Sequence, residues 1–309
     1  MRVAITGGTG FVGRHLAERL NPTETVVVSR RTGTAITDVD ALVAAFAGCD
    51  AVAHCAGINR EIGDQTFERV HVEGTSAVIE AARRAGVKRI VMLSFLRARP
   101  DSGSRYHDTK WAAEELLRDS GLDHTILKSG MIYGSGDHMV DHVTRAVRTF
   151  PVFATVGYQE RMVRPVQVAD AVEVLVAALE GRITDPTVAV MGAEELELGA
   201  AVRRIAGVAG RHPLYVRAPV WSIRVLAQLT EWLMVTPLVA KAQAQMLAEG
   251  VNEAAPQAPE LPEGLRPARP FDEASIRAAM PDGRFDLSDL RVTRWIRTRR
   301  RSDMARVSP

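Results

Sequence analysis

Two side chains of complementary acid–base character stand four positions apart in Tyr106-His107-Asp108-Thr109-Lys110, where a helical pattern begins. The i, i+4 spacing puts both on one helix face. A phenol with a pKa near ~10 is a poor proton carrier at neutral pH. A neighbouring ammonium stabilises the phenolate, so the pair can exchange a proton with a carbinol or a carbonyl. Four Tyr and four Lys in 309 residues would produce only about 0.05 such pairs by chance. Of the 39 basic residues only Lys88, Lys110, Lys128 and Lys241 are lysines. Arginine supplies positive charge elsewhere, which points to a tunable amine at Lys110. The plainer alternative is a half-buried Tyr beside a surface Lys.

A second group of residues carries binding chemistry. Thr6-Gly7-Gly8-Thr9-Gly10-Phe11-Val12-Gly13 follows an apolar run read as a strand and opens a run read as a helix, the context a dinucleotide-binding turn demands. Gly7 suits the tight turn. Gly10, with Thr9, Phe11 and Val12 around it, lets backbone N–H groups approach a pyrophosphate, and Gly13 lets helix and strand pack closely. The alternative, a merely flexible turn, does not explain why strand, turn and helix agree. The next strand ends Val28-Ser29-Arg30-Arg31, with no carboxylate before Asp38. An NAD site usually offers Asp or Glu there to the ribose hydroxyls. A guanidinium pair instead suits a 2′-phosphate, each charge-assisted contact being worth roughly 1.5–3 kcal/mol. NADP(H) is therefore expected ahead of NAD(H), against the alternative of two solvated arginines.

The elements that must position these residues alternate. Strands are predicted over 1–6, 25–29, 50–55, 89–94, 124–128, 163–168 and 187–191, and helices over 10–20, 40–46, 67–85 and 106–120. A further helix is expected to start under an Asp170 cap and end near Gly181. This predicts an α/β fold with a Rossmann-type doubly wound parallel sheet. Residues 1–192 are expected to form the nucleotide-binding domain, with 134–160 contributing to the substrate region. Residues 193–290 read as a smaller, mostly helical substrate region, with a Pro-rich extended segment over 255–270 lying on the surface. Residues 291–309 hold seven Arg and one Asp and read as a basic, mobile tail.

These motifs resemble the short-chain dehydrogenase/reductase superfamily, in its extended and atypical (NAD(P)-dependent epimerase/dehydratase) members. The likeness runs from TGGTGFVG (6–13) through AVAHCAG (51–57), VHVEGTSAVIEAARRAGVKRIVMLS (70–94) and YHDTKWAAEE (106–115). It continues through TILKSGMIYGSGD (125–137) and VRPVQVADAVEVL (163–175). The VHVEGT, YHDTKW and VRPVQVADA wording is most similar to the branch that includes the nucleotide-binding accessory subunit of respiratory complex I. The resemblance implies Tyr106 as the acid–base residue and Lys110 as a ligand of the nicotinamide ribose. It implies Asp38 at the adenine, Ala56 and Gly57 beside a ribose, and Ser129 to Ile132 beside the nicotinamide. The family's catalytic Ser or Thr sits just past the strand that ends at Ser94, with Ser102 and Ser104 as rivals. Only eleven residues separate Ser94 from Tyr106, a shorter connection than the family's, and His71 and Ser129 replace an Asn and a Pro common there.

The remaining features bound the reading. The sole cysteines, Cys49 and Cys55, have no metal-ligand spacing, so no metal site is expected. His54 and Cys55 read as a satisfied histidine and a buried small residue. A first strand starting at Met1 leaves no room for a signal peptide, and a cytoplasmic protein is expected. The net charge is +2, of which residues 291–309 carry +6 and the rest −4, so no nucleic-acid-binding face of the fold is expected. Trp221, Val225, Leu229, Trp232 and Leu233 form an apolar stripe at helical spacing. It reads as core, as the wall of a lipophilic substrate pocket, or as a peripheral membrane contact. The expected function is an NADP(H)-dependent oxidoreductase moving a hydride to or from a carbonyl or carbinol of a small-molecule, lipophilic substrate. The alternatives are a non-catalytic NADP(H)-binding structural or assembly protein, and a nucleotide-sugar-type epimerase or dehydratase.

Overall fold

The computed structural model describes residues 1–234, 249–286 and 289. The basic tail expected over 291–309 and the side chains of Trp232 and Leu233 lie outside the described residues. Six parallel strands form the central sheet: β1 (Val3–Thr6), β2 (Thr25–Val28), β3 (Ala51–His54), β4 (Arg89–Phe95), β5 (Asp123–Ser129) and β10 (Thr187–Val190). Their order is β10-β5-β4-β3-β1-β2. β1, β3 and the central part of β4 are short, apolar and closed to solvent on both faces, as parallel strands sandwiched between helices must be.

Period-two alternation sorts the side chains. Val3, Ile5, Ala51, Ala53, Val91 and Leu127 meet the helices α1 (Phe11–Arg19) and α6 (Val168–Leu179). Ala4, Val52, Ile90, Met92 and Ile126 meet α2 (Val39–Phe46), α3 (Gly74–Ala85) and α4 (Arg105–Arg118). The chain runs outward from β1 to β2, then crosses back to β3. The crevice above the carboxyl ends of β1 and β3 is thus the topological switch point where such sheets take their ligands.

Three stretches differ from the expected pattern. The helix expected over 67–85 begins as a π-helix, Glu68–Glu73, before α3; this wider turn carries Val70 and His71. The strand expected over 163–168 is two short pieces, β8 (Met162–Val163) and β9 (Val166–Gln167), because Pro165 lies between them and lacks the N–H a continuous ladder needs. The cap of α6 is Gln167, whose side chain accepts from the Ala169 N–H at 2.6 Å. Asp170 instead accepts from the backbone N–H groups of Ala268 and Arg269 and from the Arg269 guanidinium, tying down the Pro-rich segment. That segment also lies along β10, with the Ala189 N–H donating to the Pro259 carbonyl at 2.7 Å.

The rest of the described chain adds two-stranded pairs and a second, helical core. β6 (Ile132–Tyr133) pairs with β9. α5 (Met139–Thr149) and α7 (Leu198–Val208) share a separate core with the short helix Glu273–Ala279. β11 (Leu196–Glu197) pairs with β8, and β7 (Val152–Val156) pairs in parallel with β12 (Leu214–Ala218). α8 (Val220–Leu233) follows β12 after Pro219. Among the described residues no helix is long and apolar enough to cross a membrane.

Candidate functional site

The glycine turn closes onto β3. Gly7 has a φ of +69°, and a Cβ there would stand 2.7 Å from the Ala56 backbone, so only glycine permits this approach of the β1 and β3 ends. A Cβ on Gly13 would collide with the Gly7 carbonyl, which is why α1 can start directly beneath the turn. Above it lies a cleft of about 920 Å³. Gly7, Thr9, Gly10, Phe11 and Val12 line its floor, Arg30 and Arg31 one end, and Ala56 and Gly57 the middle. Tyr106 and Lys110 also line it, so the structure brings both motifs into one cleft. Gly13 lies just beneath.

The arginine pair sits on a short turn, Arg30–Thr32, capped reciprocally by Ser29 and Thr32. Both residues are exposed, and no ion pair among the described residues engages either guanidinium. Asp38 is spent as the cap of α2, accepting from the Ala41 N–H at 3.1 Å, and does not line the cleft. No carboxylate therefore stands among the lining residues at this end.

At the other end, the first turns of α4 present Tyr106 and Lys110. The Tyr106 ring is held edge-on by Phe67, His71 and Phe95, at centroid distances of 5.5–5.6 Å. Burial raises its phenol above the ordinary range. The Lys110 ammonium donates to the Leu93 carbonyl at 3.2 Å. Burial lowers its pKa to about 8, against the opposing pull of Glu114 and Cys55. His71 organises this wall. Thr109 donates its hydroxyl to the Arg105 carbonyl at 2.7 Å and is hydrogen-bonded to His71 Nδ1 at 3.0 Å. Nε2 lies 3.2 Å from the Ile58 N–H and 3.1 Å from the Ile58 carbonyl, and so fixes the loop after Gly57. Burial first, and the Lys110 charge second, hold this imidazole well below its usual range and hence neutral.

Ser94 takes another place. In the β4–β5 register it lies beside Lys128, and alternation turns both toward α4. Its hydroxyl donates to Glu114 at 2.5 Å, and Lys128 donates to both Glu114 oxygens at 3.1 Å. Ser94 thus belongs to a buried ionic cluster and does not line the cleft. Ser102 and Ser104 are also elsewhere: Ser102 bonds Asp108 at 2.7 Å and shapes the start of α4. Ser129 and Ile132 line no part of the cleft either; the Ser129 side chain is buried at the β5 end and Ile132 packs on the core. His54 is satisfied by Thr6 and Thr75, and burial pushes the Cys55 thiol up to about 12.

His138 and His142, at the start of α5, are lining residues that motif reading passed over. Asp137 anchors that helix by accepting from Gly134 and Val140 at 2.7 Å, and Arg14 and His15 of α1 donate to the Ser135 carbonyl. The paired histidines four residues apart were the available signal. Among the described residues no cluster of ligands suits a metal ion.

A family model described as NAD(P)H-binding matches residues 7–172. The chain belongs to this NAD(P)H-binding family. The ligand of this family is a nicotinamide dinucleotide. The residues fit that group: glycines where a Cβ would close the turn, a cleft along the strand ends, and a lysine with spare donors. Among curated relatives, this family member is 30% identical over 234 residues to Mycobacterium tuberculosis Rv2047c, an uncharacterised protein. That match takes in 71% of the chain but 24% of the relative, so the chain spans about a quarter of the length of the first curated relatives it matches. It is 32% identical over 195 residues to the ceramide reductase of Caulobacter vibrioides, covering 57% of this chain and 60% of that one. The UDP-glucose 4-epimerase of Thermus thermophilus, solved with NAD, overlays with a TM-score of 0.65 over 90% of this chain and 97% of that one. At 21% identity that likeness shows the fold alone.

Proposed function

We propose that the protein is an NADP(H)-dependent oxidoreductase acting on a carbonyl or carbinol of a bulky, apolar substrate. The observation that carries the proposal is the shared cleft: Tyr106 and Lys110 line the same crevice as the glycine turn. When bound, the nicotinamide supplies the hydride acceptor or donor. Arg30 and Arg31 hold the 2′-phosphate. Lys110, anchored by one of its three donors on the Leu93 carbonyl, orients the ribose with the others and stabilises the Tyr106 phenolate. The Tyr106 hydroxyl gives its proton to the substrate oxygen in reduction and takes it back in oxidation. The likeness to a ceramide reductase supports an apolar substrate. The stripe on α8 does not, since Trp221, Val225 and Leu229 are exposed and line no part of the cleft.

Two measurements test this. NADPH should bind at least about tenfold more tightly than NADH, and Arg30→Ala with Arg31→Ala should erase the preference while sparing NADH affinity. Equal affinities in the unsubstituted protein would remove the assignment of the arginines. NADPH oxidation, followed by absorbance across ketones of graded chain length, should fall by ~10² in Tyr106→Phe with folding and NADPH affinity retained. A second reading, a nucleotide-binding assembly protein without turnover, is favoured by one observation: the Ser94 hydroxyl is committed to Glu114. The similarity to the photosystem II assembly factor Ycf39 of Synechocystis, 31% over 151 residues, supports the same reading. Tight NADPH binding with no oxidation of any ketone would select it.

A further inference from the structure

Helix α8 is built inside out for a helix facing water. Its packed side is Ile223, Ala227 and Thr230, while Trp221, Val225, Leu226 and Leu229 are 37–69% exposed. Among the exposed positions of the helix whose side chains are described, only Gln228 is polar. The β7–β12 ribbon that leads into it repeats the pattern. Register places Leu214 beside Val152 and Val216 beside Ala154, so all four side chains share one face, and all four are exposed. Phe150 and Tyr158, at the two ends of β7, extend the apolar surface. Scattered apolar residues on a surface need no explanation, but an exposed apolar strand face followed along the chain by an exposed apolar helix face is apolar surface of the kind that marks an interaction site.

Charge identifies what this surface meets. The chain before the tail is anchored beside the root of the ribbon: the Phe285 N–H donates to Thr149 Oγ1 at 2.9 Å, and Arg145 donates to Asp289 at 2.8 Å. Thr149 immediately precedes Phe150, and two residues after Asp289 the sequence enters 291–309, with seven Arg and one Asp. α8 itself carries a single Arg and a single Glu. An apolar protein partner would match the apolar surface and leave the +6 segment unmatched. An anionic bilayer matches both, taking Trp, Leu and Val side chains into its interface and arginines onto its headgroups. We infer that the exposed face of β7, β12 and α8, together with the arginine-rich segment 291–309, docks the protein on an anionic lipid surface.

Cosedimentation of the full chain, without dinucleotide, with phosphatidylcholine vesicles lacking or containing phosphatidylglycerol tests this independently of the cleft. Binding should require phosphatidylglycerol and weaken as salt rises. Trp221→Ser with Leu229→Ser should lower the partition coefficient at least about tenfold, as should Arg299→Gln with Arg300→Gln and Arg301→Gln. NADPH affinity and melting temperature should be unchanged in the serine variant, because neither Trp221 nor Leu229 lines the cleft. Should the α8 variant fold poorly, Leu214→Ser with Val216→Ser on the ribbon must show the same loss. Three results overturn the inference. They are no binding to phosphatidylglycerol vesicles, binding that ignores the serine variants, and a dimer in sedimentation equilibrium that those variants dissociate, which would assign the face to a second copy.

Discussion

Two buried lysines flank one carboxylate, and their surroundings give them opposite uses. Lys128, on β5, spends its ammonium on both Glu114 oxygens and the Ala98 carbonyl, so its three donors are taken. Lys110, four residues before Glu114 on α4, has one bond, to the Leu93 carbonyl, and faces the cleft. Burial lowers both pKa values and Glu114 opposes the shift in both. What separates them is donor saturation. A saturated ammonium belongs to the framework, whereas one with donors to spare on a cleft wall is available to a ligand. Ser94, bonded to Glu114, falls on the framework side.

The largest expected effect breaks the framework side. Glu114→Gln strands the Lys128 charge in the interior and should cost about 3–5 kcal/mol of stability in denaturant unfolding. A loss under about 1 kcal/mol, on the same scale, would mean that the cluster is not the buried ionic unit its geometry describes.

The cleft side is sharpened by pH. The folded pKa of Lys110, about 8, lies below its ordinary 10.5. Below pH 8 the amine is protonated in folded and unfolded chains alike, and the burial penalty is fully present. Between about 8 and 10.5 the unfolded chain holds the proton that the folded one has released, so stability rises with pH. Relative to Lys110→Met, the protein should gain as much as ~3 kcal/mol across that window. A difference between the two that stays flat from about pH 7 to pH 10.5 would show that Lys110 is not desolvated as described.

The smallest effect decides the side of Ser94. Ser94→Ala removes one bond to a buried carboxylate and should lower stability by about 1.5 kcal/mol. NADPH oxidation, corrected for folded fraction, should stay within about twofold. A hundredfold fall would return Ser94 to the cleft chemistry.

Sequence by itself determined the turn and the pair. The Gly7-to-Gly13 spacing between a strand and a helix, and Tyr106 one helical turn before Lys110, are local relations that a few residues encode. The alternation of apolar strands and amphipathic helices likewise fixed the doubly wound sheet, because both faces of a parallel strand must be covered. Only the tertiary structure decided which side chains meet in the cleft. Ser94 was legible as the last residue of a predicted strand, but its partner Lys128 comes from the next strand and Glu114 from the intervening helix, so sheet register set its orientation. Asp38 was legible as a carboxylate near the nucleotide, yet capping α2 claimed it. His138 and His142 reach the cleft because Arg14 and His15 pin their loop to α1, a contact across some 120 residues that no local pattern records. The apolar stripe of α8 had the right period for a core helix, and period alone cannot say which face is covered. That was settled by Ile223 and Ala227, which pack inward and leave Trp221 and Leu229 exposed.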